Sequence, residues 1–167
     1  RRDRVQNDPL WRVTPPSTTL LKFASEFAAL NTRPILDAGC GYGRNAFALS
    51  LRGLDVVCAD GDLARLSALT SLAPLFFAAH KLPEQNVGRL HPVCVSLDSS
   101  AWPFRKNTFS AVVCVHFPRL DLLDLFRFSL VSGGHLYIET FGGQGQNYLD
   151  LPRKGELHGL LSKSYDL

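Results

Sequence analysis

Asp37-Ala38-Gly39-Cys40-Gly41-Tyr42-Gly43 joins a short apolar run, Ile35–Ala38, to a stretch of helical character, Arg44–Arg52. Three glycines in five residues permit positive φ and let a ligand approach the main chain closely. A helix that starts directly after such a loop turns free N–H groups and its positive dipole end toward an anionic group. In an open α/β sheet, ligands bind outside the carboxyl ends of the strands, at the switch point beside the first one. The dinucleotide motif G-x-G-x-x-G would need a third glycine where Arg44 stands, and the spacing here is G-x-G-x-G instead. Asp37 lies two residues before Gly39, and Asp60 closes the apolar run Val56–Ala59. Asp60 follows the first glycine by the roughly 20 residues at which an acid meets ribose hydroxyls.

The rest of the chain repeats the same alternation. A polar arm over 1–16 ends in Pro15-Pro16, and Ser17 reads as the N-cap of a helix to Leu30, with Leu20, Phe23, Ala24 and Phe27 on one face. Strands are predicted at Ile35–Ala38, Leu54–Ala59, His91–Ser96, Phe109–His116 and His135–Phe141. Helices are predicted at Arg44–Arg52, from Leu63 through His80, at Asp121–Leu130 and at Lys154–Leu161. Loops fall at Pro83–Leu90 and 142–152, and Ser132-Gly133-Gly134 is read as ending a helix. The strands are continuous apolar runs, which suits strands buried on both faces of a parallel sheet. Alternating strand and helix then imply a doubly wound α/β fold, Rossmann-like, with a single domain over 17–167.

Composition narrows the function classes. The chain has 167 residues, 46% hydrophobic and 20% charged, with 18 Lys+Arg against 15 Asp+Glu. Those are globular values, and the mild positive charge argues against a dedicated nucleic-acid binder. No apolar run approaches the roughly 20 residues of a membrane span. The chain opens at Arg1 and contains no Met, so the natural start is read as lying upstream. Cys40, Cys58, Cys94 and Cys114 form no C-x-x-C pair, and the last three lie in apolar runs. They read as reduced, buried thiols of a cytoplasmic protein. The five histidines have no ligand spacing, so no metal is expected. The oligomeric state is not legible.

The ordered set D-x-G-x-G-x-G followed by an acid ending the second strand resembles class I S-adenosylmethionine-dependent methyltransferases. Leu97-Asp98 with Trp102-Pro103-Phe104, the strand Phe109–Val115, and Leu130–Gly134 before Leu136–Glu139 resemble later parts of the same pattern, with Ser132 where Pro is usual. Within that superfamily, Asp98–Phe104, Glu139-Thr140-Phe141 and Gly155-Glu156-Leu157 are most similar to small bacterial methyltransferases of the tellurite-resistance type. The resemblance implies S-adenosyl-L-methionine as cofactor and a small-molecule methyl acceptor. It places Gly39, Cys40, Gly41 and Gly43 under the methionine part, Asp37 near its amino group, Asp60 on the ribose, Gly61 beside the adenine, and Asp98 with Ser99 at the adenine amino group. His116 and Phe117 would face the sulfonium and the acceptor, His116 as the candidate general base, and Tyr42 or Phe117 could supply an aromatic face. Bland readings stand beside these. Asp37 could cap a turn, Asp62 suits an N-cap better than a ligand, and Asp98 reads equally well as an ordinary turn residue. His116 could be a structural strand-end residue. A nicotinamide-dependent oxidoreductase and a non-catalytic cofactor-binding protein are the rival functions. The family's C-terminal hairpin is expected after Tyr165–Leu167, which reads as the opening of a strand cut short.

Overall fold

β1 (Ile35–Ala38) lies at the centre of a five-stranded sheet in the computed structural model, which describes residues 15–30, 32–81, 86–141 and 151–166. Most of the expected arm, parts of both expected loops, and Leu167 lie outside the described residues. In chain order the elements are α1 (Thr18–Lys22), α2 (Ala24–Ala29), β1, α3 (Arg44–Ser50), β2 (Val56–Asp60), α4 (Leu63–His80) and β3 (Leu90–Cys94). They continue with β4 (Phe109–Val115), a 3-10 turn (Leu120–Leu122), α5 (Leu123–Ser129), β5 (Leu130–Glu139) and α6 (Glu156–Leu161). The strand order is β3-β2-β1-β4-β5, and every pairing is parallel. The chain crosses from one side of β1 to the other between β3 and β4, which creates the switch point beside β1.

Successive residues of β1 point to opposite faces. Ile35 joins a core with Leu20, Phe27, Phe47, Leu49, Leu66 and Leu69, beneath α1 to α4. Leu36 and Ala38 join a second core with Leu97, Val112, Leu122 and Phe126. Trp102 and Phe104 pack against that second core, and the Trp102 indole N–H donates to the buried Ser129 hydroxyl at 2.8 Å. That bond pins the segment after Asp98 to the end of α5.

Double-sided burial holds for β1 and β4, which are buried throughout, and nearly so for β2. It does not hold for the edges. In β3 only Leu90 and Val93 are even half-buried, and Cys94 is exposed rather than the buried thiol the sequence predicts. An edge strand has a neighbour on one side only, and Pro92, which lacks an N–H, is tolerated there. β5 is mostly half-buried.

Three element boundaries also differ. The single helix expected over 17–30 is two helices separated at Phe23, where ψ is 3° and the Phe23 N–H reaches back only to Leu20. The Phe23 ring lies 5.9 Å from that of Tyr137, so a tertiary contact accompanies the break. Ser132-Gly133-Gly134 does not precede β5 but forms a bulge inside it. Phe109 pairs with Leu130 and Ala111 with His135, so β5 carries extra residues that bulge out at Gly133, φ +73°. Tyr165 is in a bend rather than a strand, packed against the second core.

α4 is the described helix whose length and mean hydropathy, 1.2 over 18 residues, would suffice to cross a membrane. Its Leu66, Leu69 and Leu72 are buried in the first core, 17% of that 18-residue stretch.

Candidate active site

The carboxyl ends of β1 and β2 and the loop between β1 and α3 converge on one place. Gly39, Gly41 and Gly43 have φ of +70°, +56° and +84°, the left-handed region that glycine enters without strain. The Gly39 and Cys40 N–H groups both donate to Ala59 O, at 2.9 and 3.1 Å, which ties the loop to β2. Glycine at 39 also answers to packing, since a Cβ there would lie 2.6 Å from Cγ of Phe117. At Gly41 a Cβ would meet nothing within 4 Å, so the loop is open on that side.

Asp60 closes the arrangement. Its Oδ2 accepts from the Gly41 N–H at 2.8 Å and its Oδ1 from the Asp62 N–H at 2.9 Å. Each carboxylate oxygen keeps acceptor capacity for a further partner. Asp62 is the N-cap of α4, accepting from Ala64 and Arg65 N–H groups. Gly61 sits between them, against the main chain just past β3 at Val95 and Ser96.

Asp37 is 2% exposed, and its Oδ2 has no hydrogen-bond partner among the described residues. Burial pushes its carboxyl up from 3.8 to about 7, opposed by the Ala46 N–H and the Arg44 charge and assisted by the charge of Asp60. In the unfolded chain the same group ionises near 3.8. Between those values the unfolded state binds fewer protons, so this group's stabilising contribution is full below about pH 4 and is lost as pH rises through about 7. The window is worth at most about 4 kcal/mol at 1.36 kcal/mol for each pH step. Asp37→Asn is therefore expected to flatten that slope and to raise the thermal midpoint of the ligand-free protein at pH 8. A lower midpoint at pH 8 would show that the ionised carboxylate is stabilised by something other than these groups.

The other sequence-derived residues divide. Cys40 is buried in the loop beside Cys58, and that thiol together with burial holds the Cys40 thiol far above its ordinary range, so it is a neutral small side chain. Asp98 closes a turn in which its Oδ1 accepts from the Ser100 N–H at 2.7 Å and the Ser100 hydroxyl at 2.6 Å. Those bonds hold its carboxyl below the usual range. Ser99 is exposed in that turn. Arg119, past β4, donates to Leu97 O at 2.9 Å and links the Asp98 turn to the segment that carries His116 and Phe117. Tyr42 is exposed at the loop.

Sequence reasoning did not gather Glu139, Tyr137, Ser17 and Asn45 at the end of β4, where the structure brings them together beside His116. His116 Nε2 lies 3.5 Å from Glu139 Oε1. The signal available was a carboxylate ending the strand that neighbours β4, and using it requires the β4–β5 register. Among the described residues no group of three or more His, Cys, Asp or Glu side chains gathers as a metal site. A cavity of about 580 Å³ lies elsewhere, between α4 and the β3 edge, lined by residues including Ala73, Phe77 and Leu90.

A family model described as "Methyltransferase domain" matches residues 36–120. No curated protein matches the chain. Among solved structures, the MccD protein is similar over 92% of this chain and 74% of its own, with a TM-score of 0.63 and 16% identity. TehB from Haemophilus influenzae is similar over 87% of this chain and 51% of its own, with a TM-score of 0.61 and 16% identity. Geranyl diphosphate C-methyltransferase from Streptomyces coelicolor A3(2), solved with Mg2+, geranyl-S-thiolodiphosphate and S-adenosyl-L-homocysteine, is similar over 86% of this chain and 56% of its own. Its TM-score is 0.56 and its identity 19%. At these identities the likeness establishes the fold, and the chain spans half to three quarters of these proteins' length.

Proposed function

Because this chain belongs to the methyltransferase-domain family, we propose that it binds S-adenosyl-L-methionine at the β1–α3 loop and transfers the methyl group to a small-molecule acceptor. The observation that carries the reading is the Asp60 carboxylate fastened to the Gly41 N–H, which holds an acid rigidly beside an open glycine loop. The residues fit the cofactor's groups. The orphaned Asp37 Oδ2 offers an acceptor for a cationic amino group, and the open side of Gly41 leaves room for a ligand against the main chain. Asp60 would receive the ribose hydroxyls, Gly61 would border the adenine, and Asp98 with Ser99 would meet the adenine edge. Arg44, where a dinucleotide loop would have its third glycine, weighs against the nicotinamide reading.

The bound sulfonium supplies an electrophilic methyl group, so the hard chemistry belongs to the cofactor. The chain's task is to align the acceptor and exclude water, and good alignment supplies up to about 7–11 kcal/mol of barrier reduction. His116 and Phe117, directly past β4, stand where the acceptor would enter, and Phe117 already packs over Gly39. The four cysteines are free thiols, which supports a reducing, cytoplasmic setting. The test is transfer of labelled methyl from S-adenosyl-L-methionine to a panel of small acceptors. Label recovered in a small product is the expected result. Binding of the cofactor with no transfer to any acceptor would favour a non-catalytic cofactor-binding protein.

A further inference from the structure

The ends of β4 and β5 carry a constellation that cofactor binding does not use. Val115 pairs with Glu139, so His116 emerges beside the last residue of β5. The His116 N–H donates to Glu139 O at 2.7 Å, and its φ is +57°. For a residue with a Cβ that conformation costs about 1–2 kcal/mol, and it persists where surrounding contacts over-determine it. The imidazole Nε2 faces Glu139 Oε1 at 3.5 Å, and the ring lies edge-on to Phe141 with centroids 4.4 Å apart.

Glu139 is itself anchored. Its Oε2 accepts from the Tyr137 hydroxyl at 2.6 Å and from the Ser17 hydroxyl. Ser17 also caps α1, and its N–H donates at 3.0 Å to Oδ1 of Asn45, in the first turn of α3. The Ser17 and Tyr137 hydroxyls, with a smaller contribution from His116, hold the Glu139 carboxyl below its usual range. Burial and the bond to Glu139 push the Tyr137 phenol up to about 12, so it remains a donor at neutral pH. A strand-end contact of purely local value would not need a carboxylate gripped by groups from the N-terminal segment and from its own strand.

We propose that Glu139 is a positioning residue that fixes His116 with Nε2 protonated, leaving Nδ1 as the base for an acceptor whose nucleophile is an aromatic hydroxyl. This rests on the methyl-transfer reading above and names its acceptor class. A carboxylate only accepts hydrogen bonds, so an imidazole nitrogen turned toward it at 3.5 Å favours the tautomer protonated there. Acceptors that are already anionic need no base. A phenol, with a proton lost only near pH 10, does. One exposed ring, Phe141 at 66%, lies against His116, and a second, Phe23 at 43%, packs on Tyr137, the donor to Glu139. Such rings suit a flat aromatic acceptor. In the reaction the hydroxyl oxygen forms the new C–O bond as the S–CH3 bond breaks and the sulfur leaves as a neutral thioether. The hydroxyl proton passes to His116 Nδ1, and the imidazolium faces Glu139 until solvent takes the proton.

The test compares phenol with thiophenol as acceptors for the native enzyme and Glu139→Gln. With phenol, kcat is expected to fall about 100-fold, the low end of what a positioned general base contributes, with KM nearly unchanged, whereas with thiophenol kcat stays within about threefold. In the cofactor-free protein, the 15N spectrum of the His116 ring is expected to show one Nε2-protonated tautomer in native protein and a mixture in Glu139→Gln. Equal loss on both acceptors, or a mixture already present in native protein, would overturn the proposal. If neither acceptor turns over, the ring spectrum decides. Titration with S-adenosyl-L-homocysteine separates the two layers. Absence of binding by native protein defeats the methyl-transfer reading, whereas intact binding with unchanged phenol turnover in Glu139→Gln defeats only the positioning role.

Discussion

Asp60→Ala is expected to weaken S-adenosyl-L-homocysteine binding by about 100-fold, close to 2.8 kcal/mol at 1.4 kcal/mol per decade. Two losses combine. The carboxylate would no longer receive the sugar hydroxyls, and hydrogen bonds to a charged group contribute about 1.5–3 kcal/mol each. The Gly41 and Asp62 N–H groups would also lose their acceptor, so the loop would be held less firmly before any ligand arrives. Asp60→Asn retains one carbonyl oxygen and is expected to fall between native and alanine. Isothermal titration of the three proteins checks the order. Equal affinity in all three would show that Asp60 only staples the loop.

Gly39→Ala is expected to abolish measurable binding and to lower the thermal midpoint, whereas Gly41→Ala separates those two effects. At Gly39 the added Cβ would overlap the Phe117 ring at 2.6 Å on a backbone with φ +70°. Either Phe117 moves, disturbing the segment that carries His116, or the loop does. At Gly41 the Cβ would enter open space, so the fold is charged only the left-handed backbone, about 1–2 kcal/mol. If a cofactor lies in that space, its affinity is expected to fall at least tenfold. Thermal melts and titrations on both variants provide the comparison. Unchanged affinity in Gly41→Ala would place the ligand on another side of the loop.

The sheet was legible because its central strands are the easiest kind to read. β1 and β4 are buried at every position, so their runs are unbroken by polar alternation apart from Asp37 and Ser110. The position of Asp60 at the end of β2 beside the glycine loop followed from its spacing, and the Asp62 cap from its place at the start of α4. What escaped depends on contacts between distant segments. No glycine or proline marks the break at Phe23, whose ring meets Tyr137 more than a hundred positions later. Gly133-Gly134 carries the same local signal whether it ends a helix or bulges a strand, and only the pairing with Phe109 and Ala111 decides. Cys94 lies in an apolar run, but nothing local says that its strand is an edge. Glu139 stayed out of the site for the same reason. Its partners Ser17 and His116 lie 122 positions away and just past the end of the neighbouring strand.

Calorimetric titration of the cofactor-free protein with S-adenosyl-L-homocysteine, in parallel with NAD, bears on everything above. Saturable one-site heat with the adenosyl compound, strongly weakened in Asp60→Ala, and none with NAD is the expected outcome. Saturable binding of NAD, with no heat from S-adenosyl-L-homocysteine, would contradict it.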